Sequence, residues 1–262
     1  MAYSTKSKVF WSKKFMNILV VGGGGREHAI AYSLLKSPLT KKLVVAPGNP
    51  GIEIFAECSP IAADDINGQC KLAKDMKADI VFIGPETPLV LGLKDKLSDL
   101  GIKAFGPSQK AAQLEGSKTF SRKFCKRHNI PQPHFEYCSD LETAKKQIEL
   151  LKGYCVVKAD GLAAGKGVVV CDTIEEAINA SSQILEENIF GDAGKSILIE
   201  ERITGIEASV FAVSDGDNVV VIGNAQDHKR AYDNDIGPNT GGMGAISPAP
   251  APVSYTHLRA HE

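Results

Sequence analysis

Lysines and glycines lie close together in residues 154–172, in a pattern that could bind a phosphate chain. Short β-branched runs on either side of the glycines favour two strands. Glycines have no Cβ, so a loop built from them lets backbone N–H groups approach an anion closely. The pattern predicts a hairpin over a polyphosphate, with a glycine-rich hairpin and two solvated lysines as the alternative. The residues are Lys158, Gly161, Gly165, Lys166 and Gly167.

This loop differs from the Walker A phosphate loop. A Walker A loop has the form Gly-x-x-x-x-Gly-Lys-Ser/Thr and opens a helix. Here Gly161-Leu-Ala-Ala-Gly-Lys-Gly is followed by the β-branched run Val168–Cys171, which favours a strand. The sequence therefore predicts a strand–loop–strand phosphate site.

A second candidate phosphate site lies near the start of the chain. The apolar run 17–21 leads into four glycines, then Arg26, Glu27, His28 and an apolar-periodic helix. A strand, a glycine turn and a helix N-terminus together form an anion site. The third glycine of Gly-x-Gly-x-x-Gly is missing, and the next strand ends in Ala46-Pro47-Gly48 without an acidic residue. A small phosphorylated ligand is therefore favoured over NAD, with a tight turn that binds nothing as the alternative.

Strands alternate with helices through residues 16–106, which predicts a parallel, doubly wound sheet. Ligands of such sheets bind at the carboxyl ends of the strands. Three polar turns that contain glycine fall at those ends: 22–26, 48–51 and 84–86. Glu86, in the third turn, is either a solvated loop carboxylate or an acceptor for a ribose or an amine.

The second half of the chain predicts a smaller lobe and a polar wall. Pro131 and Pro133 break a helix that Ser117 and Lys118 open, and they mark a hinge into the lobe. A buried strand at 196–203 and a hairpin at 207–223 follow, with Asp215-Gly216 as the turn. Residues 226–230 are polar and precede a predicted glycine loop at 237–244. Asp227 and His228 alone make a weak metal site.

Composition excludes several classes of protein. The chain has 262 residues and a net charge of −1, which argues against nucleic-acid binding. No apolar run is long enough to span a bilayer. Six scattered cysteines with no Cys-x-x-Cys predict thiols in a reducing cytoplasm. Residues 1–15 lack the apolar core of a signal peptide and are expected to be a disordered extension.

Nine motifs, in order, carry a family resemblance that covers residues 16–252. The chain resembles the phosphoribosylamine–glycine ligase (glycinamide ribonucleotide synthetase) family of the ATP-grasp superfamily. The motifs are Gly-Gly-Arg-Glu-His-Ala (24–29), Ala-Pro-Gly-Asn (46–49), Gly-Pro-Glu (84–86), Pro-Leu-Val (88–90), Gln-Leu-Glu-Gly-Ser-Lys (113–118), Lys-Ala-Asp-Gly-Leu-Ala-Ala-Gly-Lys-Gly (158–167), Phe-Gly-Asp-Ala-Gly (190–194), Gln-Asp-His-Lys-Arg (226–230) and Gly-Pro-Asn-Thr-Gly-Gly-Met-Gly-Ala (237–245).

The resemblance implies an α/β fold with a doubly wound parallel sheet (a pre-ATP-grasp domain) followed by an incomplete ATP-grasp domain. Its implied activity joins glycine to 5-phosphoribosylamine with ATP, through glycyl phosphate, in purine biosynthesis. The partners would be these small molecules, with no nucleic acid or membrane, and the protein would be a cytoplasmic monomer. The expected domains are a 1–15 extension, a 16–119 substrate domain, a 120–194 small ATP-grasp lobe, a 195–252 partial central domain and a 253–262 tail.

The resemblance also implies a role for each candidate residue. ATP would be bound by Lys118, Lys158, Gly161, Gly165, Gly167, Glu200, Glu201, Ile203 and Glu207. Phosphoribosylamine would be bound by Gly24, Gly25, Arg26, Glu27, Asn49, Gly51, Gly84, Pro85 and Glu86, and the substrates would meet the γ-phosphate near Asn239, Thr240 and Gly241. The catalytic residues would be Lys158, Asp227, Lys229 and Asn239.

The sequence departs from the family after Pro252. The family continues with a Glu-Phe-Asn magnesium motif and Arg-Phe-Gly-Asp-Pro-Glu, and neither occurs here. No metal ligand is therefore assigned, although magnesium or manganese is expected for the full-length family. The chain is expected to be a truncated, inactive fragment with a foreign-looking tail, in which apolar faces of 196–223 are partly uncovered.

Two alternatives to this ligase remain open. A non-catalytic ATP-binding module would share the phosphate loop and lack the metal motif. Another ATP-grasp carboxylate–amine ligase would share the chemistry, although the stretches 24–28 and 226–230 argue against it.

Overall fold

A computed structural model describes residues 15–163 and 167–250 of the chain. The predictions for Gly165 and Lys166, for the extension before residue 15 and for the 253–262 tail lie outside the described residues. The chain divides into two compact units, one that ends at Gly116 and one that begins at Ser117.

The first unit is built on a five-stranded sheet in which every strand pair is parallel. Its order is β3-β2-β1-β4-β5, so β1 lies in the middle and the chain first adds strands on one side and then on the other. The strands are β1 (Met16–Gly22), β2 (Thr40–Pro47), β3 (Glu57–Cys58), β4 (Ile80–Ile83) and β5 (Lys103–Phe105).

Apolar side chains are buried on both faces of this sheet. Along β1, Leu19 and Val21 belong to one core cluster, and Ile18 and Val20 belong to another. Alternate residues of a strand point to opposite faces, so each face must be covered. The prediction of a doubly wound parallel sheet is confirmed. The helices are α1 (Gly25–Leu35), α2 (Pro50–Glu53), α3 (Ile66–Asp75), α4 (Glu86–Val90), α5 (Leu93–Asp99) and α6 (Gln109–Gly116).

The second unit contains an antiparallel sheet of order β6-β9-β7-β8. Helices α8 and α9 pack on one face of it through a fully buried cluster that includes Ile148, Val157, Ile184 and Ile199. The elements are α7 (Lys118–Arg127), β6 (Phe135–Cys138), α8 (Leu141–Leu150), β7 (Cys155–Ala159), β8 (Val168–Cys171), α9 (Ile174–Leu185) and β9 (Ile197–Glu201).

The position of β9 bears on the predicted lobe boundary at 194. This strand pairs with β6 on one side and with β7 on the other. Hydrogen bonding therefore continues the sheet of the predicted small lobe as far as Glu201. The domain limits themselves stay a prediction.

A second, three-stranded sheet follows, made of β10 (Ser209–Ser214), β11 (Val219–Tyr232) and β12 (Ile236–Ile246). The glycine loop predicted at 237–244 is wrong, because these residues form β12 and pair antiparallel with β11. Gly237 and Gly242 have φ of +88° and +121°, and the register shifts at Arg230. Irregular pairing of this kind accommodates glycines within a strand.

The two sheets of the second unit differ in burial. The apolar residues of β9 are fully buried, whereas Val219, Val220 and Ile222 on β11 are 62–68% exposed. The expectation of uncovered apolar faces is therefore wrong for β9 and confirmed for β10 and β11. Among the helices of residues 15–163 and 167–250, none combines the length and the apolar composition that a membrane span requires.

Candidate functional site

Three turns meet at the carboxyl edge of the parallel sheet. Backbone hydrogen bonds join them: Gly48 N–H donates to Gly22 O over 3.1 Å, and Gly84 N–H donates to Val21 O over 3.1 Å. They meet because β2 and β4 flank β1 and all three strands end at one edge. The predicted convergence of the three turns is confirmed, while their role in binding a substrate stays a prediction.

A buried carboxylate, Glu27, lies beneath these turns. Its side chain is 4% exposed, and its Oε2 accepts from Gly24 N–H over 2.7 Å. A Cβ on Gly84 would lie 2.1 Å from Glu27 Oε1, and one on Gly22 would lie 2.6 Å from Glu27 Cγ. The turns can approach this carboxylate only because glycines line it. Glu27 therefore fixes the first turn to the third.

Arg26 and Asn49 connect the turns at the surface. Arg26 Nη1 donates to Gly84 O over 2.7 Å and to Glu86 Oε1 over 3.0 Å, and both side chains are largely exposed. Asn49 Nδ2 donates to Gly23 O over 2.9 Å, and its Oδ1 accepts from Gly51 N–H over 2.9 Å. Gly24, Gly25 and Arg26 are exposed at the N-terminal end of α1. A guanidinium beside a helix N-terminus favours an anionic ligand.

The second unit contains a buried ion-pair cluster centred on Glu200. Arg122 Nε donates to Glu200 Oε1 over 2.6 Å, and Arg122 Nη2 donates to Oε2 over 2.8 Å. Lys158 Nζ donates to the same Oε2 over 2.5 Å. The carboxylate side chain is 1% exposed, and the two cations are 21–22% exposed. The strands place Lys158 and Glu200 on neighbouring β7 and β9.

The cations determine the ionisation of Glu200. Burial alone would raise the pKa of Glu200, but the hydrogen bonds and charges of Arg122 and Lys158 outweigh burial and lower it. The hydrogen bond to Glu200 in turn raises the pKa of Arg122. Glu200 and Arg122 therefore stay charged at neutral pH. The hydrogen bond to Glu200 holds the Lys158 side chain beside the glycine hairpin.

Sequence reasoning missed Arg122. Its position carried one usable signal, because Arg122 follows Lys118 by four residues on α7 and such positions share a helix face. Nothing local connects Arg122 with Glu200.

Asp160 fixes the start of α7 to the glycine hairpin. Its Oδ1 accepts from Thr119 N–H over 2.7 Å and from Ser117 Oγ over 3.1 Å, and Lys118 N–H donates to its carbonyl over 3.1 Å. Lys118 Nζ then donates to Gly161 O over 3.0 Å. Two predicted ATP residues, Lys118 and Gly161, are therefore in contact.

The remaining predicted ATP residues have separate surroundings. Glu201 is exposed, and its backbone N–H donates to His134 O over 2.9 Å. Ile203 is 65% exposed. Gly167 is buried where its carbonyl accepts from Ala159 N–H over 2.8 Å.

A third polar cluster joins Glu207 to β11. Lys229 Nζ donates to Glu207 Oε1 and lies 3.5 Å from Asp227 Oδ2. The hydrogen bond to Glu207 raises the pKa of Lys229, and so does the charge of Asp227. Thr240 Oγ1 donates to Lys229 O over 2.9 Å. The predicted residues Glu207, Asp227, Lys229 and Thr240 thus lie together; Gly241 is exposed nearby on β12, and the side chain of Asn239 lies outside the described residues.

In residues 15–163 and 167–250, no group of three or more His, Cys, Asp or Glu side chains is arranged to hold a metal ion. The described donors therefore do not fit a magnesium site.

Two family models together match residues 16–262 of the chain. Residues 16–115 match the phosphoribosylglycinamide synthetase N domain, and residues 116–262 match the phosphoribosylglycinamide synthetase ATP-grasp (A) domain. A phosphoribosylamine–glycine ligase of Caulobacter vibrioides is 51% identical over 235 residues, which are 90% of this chain and 55% of the relative. One of Yersinia pestis is 48% identical over 93% of this chain and 58% of the relative. The chain thus spans little more than half the length of these relatives.

Solved structures agree with these matches. A phosphoribosylamine–glycine ligase of Thermotoga maritima superposes with a TM-score of 0.73 at 33% identity, over 87% of this chain and 55% of that one. A biotin carboxylase domain of Hydrogenobacter thermophilus, solved with ADP and its magnesium salt, gives a TM-score of 0.68 at 19% identity, over 83% and 51% of the two chains. The second likeness shows a shared fold alone.

Proposed function

Since the chain belongs to the phosphoribosylglycinamide synthetase family, we propose that its activity is the ATP-dependent ligation of glycine to 5-phosphoribosylamine. The products are glycinamide ribonucleotide, ADP and phosphate. Its relatives carry the name of this ligase. The nucleotide would be ATP, and the three turns of the first unit would bind phosphoribosylamine.

The positions of two lysines support the proposal that this chain binds ATP. Lys118 and Lys158 come from different elements, yet each contacts the structure around the glycine hairpin, Lys118 at Gly161 O and Lys158 at the Glu200 carboxylate. A phosphate chain that enters beside the hairpin meets two ammonium groups. Charge-assisted contacts from such groups are stronger than neutral hydrogen bonds.

Before a phosphate binds, the hydrogen bond to Glu200 fixes the position of the Lys158 side chain. Its carboxylate is already held by two hydrogen bonds from Arg122, so Lys158 can move to a phosphate oxygen without leaving a buried charge unpaired. We propose that Arg122 keeps Glu200 compensated during this exchange. In the third cluster, Glu207 would bind the ribose hydroxyls of ATP. Asp227, Lys229 and Asn239 would contact the reacting groups.

The proposed chemistry has two steps. The glycine carboxylate attacks the γ-phosphate of ATP, ADP leaves, and glycyl phosphate forms. The amine of phosphoribosylamine then attacks the glycyl carbonyl carbon and releases phosphate. Lysine ammonium groups stabilise the charge that develops on the transferred phosphoryl group. Magnesium is proposed for the full-length family only, and none of the described residues is assigned to hold it.

Titration of the purified chain with ATP and with NAD tests the nucleotide. We expect Lys158→Ala to weaken ATP binding by about tenfold or more, since a charge-assisted contact contributes roughly 1.5–3 kcal/mol. Lys146→Ala is the matched control, because Lys146 forms an exposed pair with Glu142 on α8. Tighter binding of NAD than of ATP, or equal ATP affinity in both variants, would overturn the assignment.

The sugar-phosphate site has its own test. Ribose 5-phosphate is a stable probe that keeps the phosphate and the ribose of the proposed substrate. Arg26→Met is expected to weaken its binding, whereas Lys42→Met should not, because Lys42 lies near the amino end of β2 in a pair with Glu57. Equal affinity in the two variants would remove Arg26 from the proposed site.

A further inference from the structure

Two cysteines face each other across the glycine hairpin. We propose that Cys155 and Cys171 form a reversible disulfide between β7 and β8 when the protein meets a hydroperoxide. This would be an oxidative modification site, and it is independent of the ligase activity proposed above.

The strand register places the two residues directly opposite one another. Cys155 pairs with Cys171 in the antiparallel ladder, and Lys158 pairs with Val168 at the loop end. Opposed residues share one face of the sheet, with Cα atoms about 4.5–5.5 Å apart. Disulfides require Cα separations of about 4.4–6.8 Å, so neither strand has to move far.

Each of the two thiols affects the ionisation of the other. Interaction with Cys171 lowers the pKa of the Cys155 thiol, whereas interaction with Cys155 and burial raise that of Cys171. The Cys171 Sγ lies 3.7 Å from Val169 O, to which it donates. By contrast, burial and the nearby charges of Glu136 and Asp140 raise the pKa of the Cys138 thiol to about 12. Cys155 is therefore the better nucleophile of the buried pair.

Access to the pair depends on the edge of the sheet. Both thiols are fully buried, but β8 lies at the edge of the order β6-β9-β7-β8, and within the described residues it pairs only with β7. Edge strands open locally at a lower free-energy cost than central ones. Oxidation of the pair should therefore be slower than that of the partly exposed Cys58 and Cys125.

The reaction balances with a hydroperoxide as the oxidant. The Cys155 thiolate attacks the terminal peroxide oxygen, the O–O bond breaks, and a sulfenic acid and an alcohol form. The Cys171 sulfur then attacks the sulfenic sulfur, the S–S bond forms and water leaves. The two thiols lose two electrons and two protons in total, and a thiol reductant reverses the step.

The disulfide would close the hairpin at the end away from its glycine loop. The register runs from Cys155–Cys171 to Lys158–Val168 before the loop begins. A crosslink there holds β8 against β7 and does not involve the residues of the glycine loop. Amide hydrogens of β8 should accordingly exchange more slowly after oxidation.

The test uses the 262-residue chain and tert-butyl hydroperoxide. After treatment, the protein is unfolded, its free thiols are alkylated, and its peptides are mapped by mass spectrometry. We expect joint loss of alkylation at Cys155 and Cys171 and a linked peptide pair that is lighter by two hydrogens. Dithiothreitol should restore both thiols.

Two variants make the result decisive. Cys171→Ala should abolish the linked peptide, whereas Cys138→Ala should leave it in place. Full alkylation of Cys155 and Cys171 at a peroxide dose that oxidises Cys125 would overturn the proposal. A dominant linkage from either residue to another cysteine would overturn it as well.

Discussion

Each unit of the chain contains a buried glutamate, and the two are stabilised in different ways. Glu27 receives a hydrogen bond from the backbone of Gly24 and packs against glycine turns. Glu200 receives its hydrogen bonds from the side chains of Arg122 and Lys158. The first carboxylate is fixed by the shape of the backbone around it, and the second by neighbouring charges.

This difference separates a rigid site from one that can exchange partners. A backbone donor cannot leave Glu27 without unfolding the turn. A lysine side chain can leave Glu200 for a phosphate, because Arg122 still compensates the carboxylate. We infer that the glycine turns around Glu27 form a rigid, preformed surface in the first unit. In the second unit, the Lys158 side chain can change its partner.

The largest effect is expected for Glu200→Gln. The change leaves Arg122 and Lys158 facing a neutral amide in a partly buried site, so the free energy of unfolding should fall by about 3 kcal/mol. Glu142→Gln, in an exposed pair with Lys146, should change the free energy of unfolding far less, because solvent screens that pair. Urea unfolding of both variants measures the difference. Equal losses would mean that the buried cluster contributes no more than a surface pair.

Gly84→Ala should have the next largest effect. Its new Cβ would lie 2.1 Å from Glu27 Oε1, and the overpacking should cost about 1–3 kcal/mol. Gly25→Ala is the control, because nothing lies within 4 Å of a Cβ there. Thermal melting should show a lowered Tm only for Gly84→Ala. An unchanged Tm would show that the glycine turns around Glu27 are less rigid than their close contacts indicate.

A smaller loss is expected for Glu27→Gln. The amide oxygen can still accept from Gly24 N–H, so only the charge at the N-terminus of α1 is lost, at about 1 kcal/mol or less. Chemical unfolding compares this variant with Glu200→Gln. If Glu27→Gln costs as much as Glu200→Gln, charge and not backbone geometry dominates both sites.

The smallest effect is expected when acid weakens the contribution of Glu200 to the free energy of unfolding. The pKa of Glu200 in the folded protein lies below its ordinary value of 4.5, so its stabilising contribution is complete above that pH and is lost as pH falls through the lowered pKa. The stability gap between the wild type and Glu200→Gln should therefore narrow on acidification. Unfolding curves recorded across this range check it, and a gap that widens in acid would contradict the lowered pKa.

Much of the architecture could be predicted from local patterns. The alternation of strands and helices predicted the parallel sheet, and the position of glycines after each strand predicted where three turns would meet. The β-branched runs around Gly161 predicted the hairpin of β7 and β8. These signals are readable because each depends on residues close together in sequence.

Other features depended on distant partners. The pattern of 237–244 suggested a loop, yet pairing with β11 makes it a strand. Glycine content is a local signal, and a neighbouring strand overrides it by satisfying the backbone hydrogen bonds.

Local residue patterns were enough to predict the fold class, the family and the glycine turns that surround each candidate site. Which charges meet depends on how the chain folds. Arg122 reaches Glu200 across 78 positions of sequence, and Lys158 reaches it across 42. Asp160 reaches the start of α7 across 41–43 positions. Such contacts carry no local pattern, because they exist only after the sheet has brought β7 and β9 side by side and hydrogen bonds have joined α7 to Glu200 and Asp160.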